Sequence, residues 1–189
     1  MSMSGTASID MGYGWNGTTY GNAVSGVASG INMGFNSTNT GYAGKINITA
    51  PSTNAVTING NSYTIISDVA GLNNLATNTR YVVASDIDVS SIADWTGKSL
   101  TYTSFDLNGF GHVISGLRST TNGLINSLVK GTGTVTASIE NIGLDSLNVN
   151  STNTSAASIG GLIGSAENVT IKNSFVSGSV RGSYDRVGG

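Results

Sequence analysis

The chain contains no cysteine, one proline (Pro51) and one histidine (His112), and only 10% of its 189 residues are charged. Without cysteine there is no disulfide framework, no cysteine-ligated zinc site and no thiol nucleophile. Eight Lys and Arg against ten Asp and Glu leave a net charge of −2. The basic residues form no cluster, which excludes a nucleic-acid partner, because neutralising phosphates takes grouped Lys and Arg. No run approaches the roughly 18–20 apolar residues of a membrane-spanning helix. Low charge combined with many Val, Ile and Thr also excludes intrinsic disorder, which goes with high charge and few β-branched residues.

What takes the place of charge is small and polar: 27 Gly and 21 Asn, with abundant Ser and Thr. Period-two runs at Lys45-Ile46-Asn47-Ile48-Thr49, Val56-Thr57-Ile58-Asn59 and Val169-Thr170-Ile171-Lys172 are bounded by Gly, Asn or Ser. They predict short strands separated by tight turns. Three internal echoes accompany them. Ser138-Ile139-Glu140-Asn141 returns as Thr170-Ile171-Lys172-Asn173 at an offset of 32. Gly123-Leu124-Ile125-Asn126 returns as Gly161-Leu162-Ile163-Gly164 at 38, and Ile159-Gly160-Gly161 as Val187-Gly188-Gly189 at 28. Self-similarity at about 20–50 residues marks a solenoid, and unequal offsets mark loops of unequal length.

A parallel β-helix accounts for the low charge. Its coils stack at about 4.8 Å, so like residues sit over like residues. Stacked charges repel, whereas Asn, Thr, Val and Ile form compatible ladders. The sequence therefore predicts an all-β parallel solenoid with one short helix near residues 68–77. There Val69, Leu72, Leu75 and Ala76 fall at helical spacing after Ser67 or Asp68 as N-cap. That helix is expected on the outside or at the edge of a coil. At roughly 20–25 residues per coil the chain makes about eight coils. The expected core includes Ile114, Leu117, Ile139, Leu144, Leu162, Ile163 and Ile171. One continuous solenoid is divided into Gly-rich coils at 1–50, strands with the helical insert at 51–78, and repeat-bearing coils at 79–189.

Several segments, in this order, carry a family likeness: Asn61 to Leu72 leading into the helix; Arg80-Tyr81-Val82-Val83-Ala84-Ser85-Asp86-Ile87-Asp88-Val89; Trp95; Phe105 to Leu117 with its Gly109-Phe110-Gly111-His112 turn; Ile139-Glu140-Asn141-Ile142-Gly143-Leu144; and Gly160-Gly161-Leu162-Ile163-Gly164. From Tyr63 onward the chain resembles the bacterial filamentous-haemagglutinin-like adhesins and exoproteins with GLUG-type repeats. The resemblance implies a right-handed β-helical rod exported by two-partner secretion and located outside the cell or on the bacterial surface. Its implied partners are glycans or proteins of host or neighbouring cells. Separately, uncapped solenoid ends would expose unpaired strands, which makes copies of itself end to end the alternative partner. It also implies that Gly109, Gly111, His112, Gly160, Gly161 and Gly164 are structural turn and repeat positions. Residues 1–50 match only in flavour and the start carries neither a signal peptide nor a secretion-domain signature, so an internal piece of a longer protein is expected.

The residues that could carry chemistry are few. A Ser-His-Asp arrangement would have to use His112 with Asp106 as orienter; a hydrogen-bonded turn histidine needs neither. Asp86 and Asp88 lie two apart on a strand and share a side, a weak calcium candidate if Asp94 and Asp106 are near. A polysaccharide lyase would need such an acidic cluster together with Arg80 or Lys98. Tyr13 and Trp15 alternate onto one face, with Tyr20 and Phe35 nearby, as a candidate glycan contact. Sequons at Asn16, Asn36, Asn47, Asn150, Asn153 and Asn168 arise by chance in a chain of this composition. Thr101-Tyr102-Thr103 and Thr132 to Thr136 are too isolated for an ice-binding array, and no GK[ST] follows the glycines at 160–164 to make a phosphate loop. The expectation is a non-enzymatic rod without cofactor, with a self-assembling fibre subunit as the alternative and a polysaccharide-acting enzyme behind it.

Overall fold

The computed structural model describes residues 7–10, 34–37, 41–48, 55–58, 61–133, 136–152, 158–183 and 186–188. The early elements are β1 (Ala7–Asp10), β2 (Lys45–Ile48), β3 (Ala55–Ile58), β4 (Asn61–Ile66) and α1 (Val69–Asn73). Four passes follow. The first holds β5 (Arg80–Val83), β6 (Ile87–Asp88) and β7 (Lys98–Tyr102); the second β8 (Phe105–Ser115), β9 (Arg118–Ser119) and β10 (Ile125–Lys130). The third holds β11 (Ala137–Ser151), β12 (Ile159–Gly160) and β13 (Ile163–Ala166); the fourth β14 (Val169–Lys172), β15 (Phe175–Gly182) and β16 (Val187–Gly188).

Each pass lies in parallel register on the one before. On one face Tyr81, Leu107, Ile139 and Ile171 stack in turn. On a second, Ile87, Ile114, Leu144 and Val176 do the same, and on a third Leu100, Leu128 and Ala166. The chain is thus a parallel β-solenoid of about three turns. Measured along the first face, 81 to 107 to 139 to 171, the turns take 26, 32 and 32 residues. Eight coils of 20–25 residues were too many, because each circuit holds three strands plus loops of unequal length. The three sequence echoes are stacking registers: Ser138 lies on Thr170, Ile125 on Ile163, and Ile159 on Val187.

Inward-pointing residues from all three faces form one continuous core, Tyr81, Leu107, Ile114, Ile139 and Leu144 among them. Trp95 fills a corner and donates its indole N–H to the carbonyl of Leu124 at 3.1 Å, so a large side chain is buried without an unsatisfied donor. Asp68 caps α1, its Oδ1 accepting from the Gly71 N–H at 2.8 Å. The helix is five residues long, shorter than the expected 68–77, and Ala76 lies exposed beyond it. It lies at the edge of the stack beside β4, with Leu72, and Leu75 just beyond it, reaching into the solenoid core.

The wall of the first two passes is apolar on both sides. Tyr81 and Val83 point in, whereas Val82, Ala84 and Phe110 join a second cluster with Tyr42, Ile46, Ile48 and Val56. A sheet buried on both faces needs a second layer, and β2 and β3 supply it. β1 pairs antiparallel with β2, and β3 antiparallel with β4. The described residues within 7–48, a stretch read from sequence as coils, therefore lie outside the parallel stack.

The fourth pass is the open end. Ile171 is 49% exposed and Val187 41%, and Ile163 is only partly buried. The expectation that Ile163 and Ile171 sit in the closed core is corrected here. Both occupy inward registers, but among the described residues no strand lies beyond β14 to cover them. Together with Ile159, Leu162 and Val187 they line a depression of roughly 390 Å³.

Burial decides the cost of truncation. Ile139→Ala, fully enclosed between Leu107 and Ile171, is expected to lose about 3 kcal/mol. Ile171→Ala is expected to lose about 1 kcal/mol. Urea denaturation of the two variants checks the order; equal losses would contradict the open end.

Candidate functional site

The Gly109-Phe110-Gly111-His112 turn is a bulge between the second and third passes. Asn108 pairs with Glu140 and His112 with Ile142, so three residues of β8 lie opposite the single Asn141 of β11. A Cβ on Gly109 would run into the carbonyl oxygen of Asn141. Gly111 has φ +81°, and a Cβ there would strike the carbonyl oxygen of Gly44 on the outer layer. Only glycine meets both demands, positive φ and backbone contact. Between them Phe110 adopts φ +53°, an uncommon conformation for a bulky residue, held by burial and by its N–H donating to Asn108 Oδ1 at 3.0 Å.

The bulge delivers His112 to the boundary between solenoid and outer layer, where it is 1% exposed. Its Nδ1 lies 3.1 Å from Asp86 Oδ1 and its Nε2 lies 2.9 Å from the carbonyl oxygen of Ile46. Asp86 Oδ1 also accepts from the Val113 N–H at 3.0 Å, and Oδ2 receives Lys45 Nζ at 2.5 Å. The His112 contact, followed by Lys45 and the Val113 N–H, holds the Asp86 carboxyl well below the usual carboxylate range, against the opposing effect of burial. Lys45, Ile46, Asp86 and His112 thus fasten β2 to the solenoid. The carboxylate partner of His112 is Asp86 and not Asp106, and its other nitrogen faces a carbonyl where a catalytic triad would need a hydroxyl.

The remaining acids are dispersed. Asp88 turns its Oδ1 to the Ser90 N–H at 2.8 Å, which lowers its pKa, and does not join Asp86 in a site. Asp94 accepts from both the hydroxyl and the N–H of Thr120 at 2.7 Å, with the same effect. Asp106 binds Arg80 Nε at 2.8 Å and Ser138 Oγ at 2.9 Å. Lys98 sits on another face, in β7. Among the described residues no group of three or more His, Asp or Glu could hold a metal ion. Burial raises the Glu140 carboxyl, with Asp106 adding to it, while Lys172 and the Asn108 amide at 2.9 Å oppose.

Residues that the sequence reading passed over carry much of the joining. Asn173 Nδ2 donates to Asn141 Oδ1 at 2.6 Å, and Asn141 Nδ2 to Asn108 Oδ1 at 3.2 Å, an amide ladder across three passes. Its spacings of 32 and 33 match the strand echo and were the available signal. Asn122, buried, accepts from the N–H groups of Gly123 and Gly160 at 3.1 and 2.9 Å and donates to the Ser158 carbonyl at 2.8 Å. The glycine repeat is built around it. Gly164 packs against the Asn122 amide, Gly160 against the Ile163 carbonyl, and Gly161 leaves room for Leu147 and Val176. Gly160, Gly161 and Gly164 are structural positions in this geometry.

Tyr13, Trp15 and Tyr20 lie outside the described residues, as do the sequons at Asn16 and Asn153. Phe35 stacks on Tyr42 at 5.4 Å and meets Phe175 edge-on at 6.3 Å. Tyr42 donates its hydroxyl to the Asn173 carbonyl at 2.7 Å, and burial raises its phenol. Among the described residues no helix is long and apolar enough to cross a membrane. No protein-family model, curated protein or solved structure matches the chain.

The depressed carboxyl has a pH signature. A carboxylate lowered in the folded state adds stability that is complete above its unfolded value near pH 4 and is lost as the pH falls below it. Asp86→Asn should therefore be about 1 kcal/mol less stable than the parent at neutral pH, a modest figure because the side chain is half exposed. The deficit should shrink on acidification below about pH 4. Urea melts of both proteins across that range test this; a deficit independent of pH would show that the carboxylate charge is irrelevant.

Proposed function

We propose that the chain is a non-enzymatic rod and presentation segment of a bacterial surface adhesin or secreted filamentous exoprotein, working outside the cell or on its surface. The observation that supports this best is what the polar residues do. Asp86, Asp94 and Asp106, His112, and the Asn108, Asn122, Asn141 and Asn173 amides all tie one chain segment to another. None of these acids is presented as a free pair across a cleft, which acid–base cleavage of a polysaccharide requires. What faces outward is a repeated, weakly charged surface of Thr, Ser and Asn on a stiff backbone ladder. Such a rod acts by holding weak contacts at high local density, so that avidity supplies the strength.

Beads coated with the protein at graded density and offered to bacterial or host cells test the reading. Adhesion should rise more steeply than linearly with coating density. No adhesion at any density, or release of reducing ends from a polysaccharide substrate, would overturn it.

A second reading is a self-assembling fibre subunit whose copies pair through the strands of the fourth pass. Ile171 and Val187 are exposed there on strand edges able to template further pairing. The charges are complementary end to end. Residues 68–102 carry Asp68, Asp86, Asp88 and Asp94 against Arg80 and Lys98, whereas residues 169–188 carry Lys172, Arg181 and Arg186 against Asp185. Sedimentation velocity distinguishes the two. Concentration-dependent growth abolished by Ile171→Lys supports stacking of copies; a monomer at every concentration removes that reading.

A further inference from the structure

The geometry at His112 points to a proton-operated clasp on the outer layer, and we propose that the protonation of this ring controls docking of the strap Tyr42 to Ile48. The argument rests on hydrogen-bond roles. A carboxylate oxygen and a peptide carbonyl are acceptors only. His112 places Nδ1 against Asp86 Oδ1 and Nε2 against the Ile46 carbonyl, at 3.1 and 2.9 Å. Both contacts are donor contacts only when both ring nitrogens carry a proton. A neutral ring keeps one donor and turns a lone pair toward the other acceptor, in a site where the ring is 1% exposed.

The groups facing the ring fit this role. Asp86, on the turn between β5 and β6, is the one carboxylate in contact among the described residues. Lys45, on the strap itself, binds the other oxygen of Asp86 and not the ring. Asp88 is turned away to Ser90, and the adjoining strand β11 places Ile142 opposite His112. One proton therefore separates a continuous chain, from solenoid carboxylate through imidazolium to strap carbonyl, from a broken one.

What the clasp covers gives the switch a consequence. The strap's backbone contact with the solenoid is the Ile48 N–H to the Ala84 carbonyl at 3.2 Å, and its apolar side chains Ile46 and Ile48 lie on Val82, Ala84 and Phe110. Release of the strap exposes that apolar wall while the solenoid core beneath stays closed. The strap is thus a local opening unit distinct from the stack.

The test uses the whole chain, whose single histidine gives one unambiguous imidazole signal. Nitrogen-15 NMR follows the ring between about pH 5 and pH 9, and hydrogen exchange follows the Ile48 amide against the Ile125 amide. Ile125 donates to the Leu162 carbonyl between passes and reports the stack. Using the ratio of the two cancels the intrinsic pH dependence of exchange. The expected result is a ring with two N–H groups while the strap is docked, and an Ile48 to Ile125 exchange ratio that rises about tenfold as the ring loses a proton. His112→Asn should leave the ratio high and flat. A ratio in the native protein that stays constant across the range overturns the proposal whatever the ring does, and so does a folded His112→Asn protein that reproduces the native pH profile.

Discussion

In-register stacking is the constraint from which the other features follow. Once parallel strands lie about 4.8 Å apart, each residue has the corresponding residue of the next turn as its nearest neighbour. Apolar ladders such as Tyr81, Leu107, Ile139 and Ile171 become one side of a core that the ladders of the other two faces complete. Amides become donors and acceptors for each other, as in Asn108, Asn141 and Asn173. Charges in the same register would repel, and the composition answers by holding charge to 10%. Arg80 meets Asp106 and Lys172 lies near Glu140 on neighbouring turns, while the like charges of Asp106 and Glu140 help to raise the Glu140 carboxyl.

Corners impose a different demand. A turn of the solenoid has to bend without losing its register, and backbone comes close to backbone there. The bulge at Gly109 to Gly111 and the repeat at Gly160 to Gly164, on which Gly123 packs, are two such places. One is completed by His112 and the outer layer, the other by Asn122. At the repeat one side chain, Asn122, satisfies three backbone groups. At the bulge the task is shared, His112 facing the Ile46 carbonyl, Asp86 the Val113 N–H and Asn108 the Phe110 N–H. In both places the penalty of burying peptide N–H and C=O at a bend is removed.

Much of the architecture was legible because stacking writes itself into sequence. The offsets of 28, 32 and 38 are registers, and the period-two run at Val169 to Lys172 is a strand. The number of turns was not legible. A register offset gives residues per turn only if it is recognised as one, and an assumed shorter coil overcounted. Ile171 could not be told from Ile139 by pattern, since both occupy the same inward register and differ only in whether another pass lies above. Asp86 and Asp88 share a face by alternation, yet they take different partners, because Lys45 and His112 reach only the first.

Local physics in the sequence alone determined the class of structure: β-branched and amide-rich strands, glycine corners, an Asp68 cap on one helical turn, and a charge content low enough to stack. Tertiary structure decided everything that depends on segments far apart in the chain. His112 meets Ile46 across 66 residues and Asp86 across 26, and Tyr42 meets Asn173 across 131. The 26 residues from Asp86 to His112 equal the first turn, but the other two pairings have no periodicity to betray them. They arise because the wall formed by Val82, Ala84 and Phe110 is apolar on its outer side and must be covered, and β2, carrying Ile46 and Ile48, is the element that covers it.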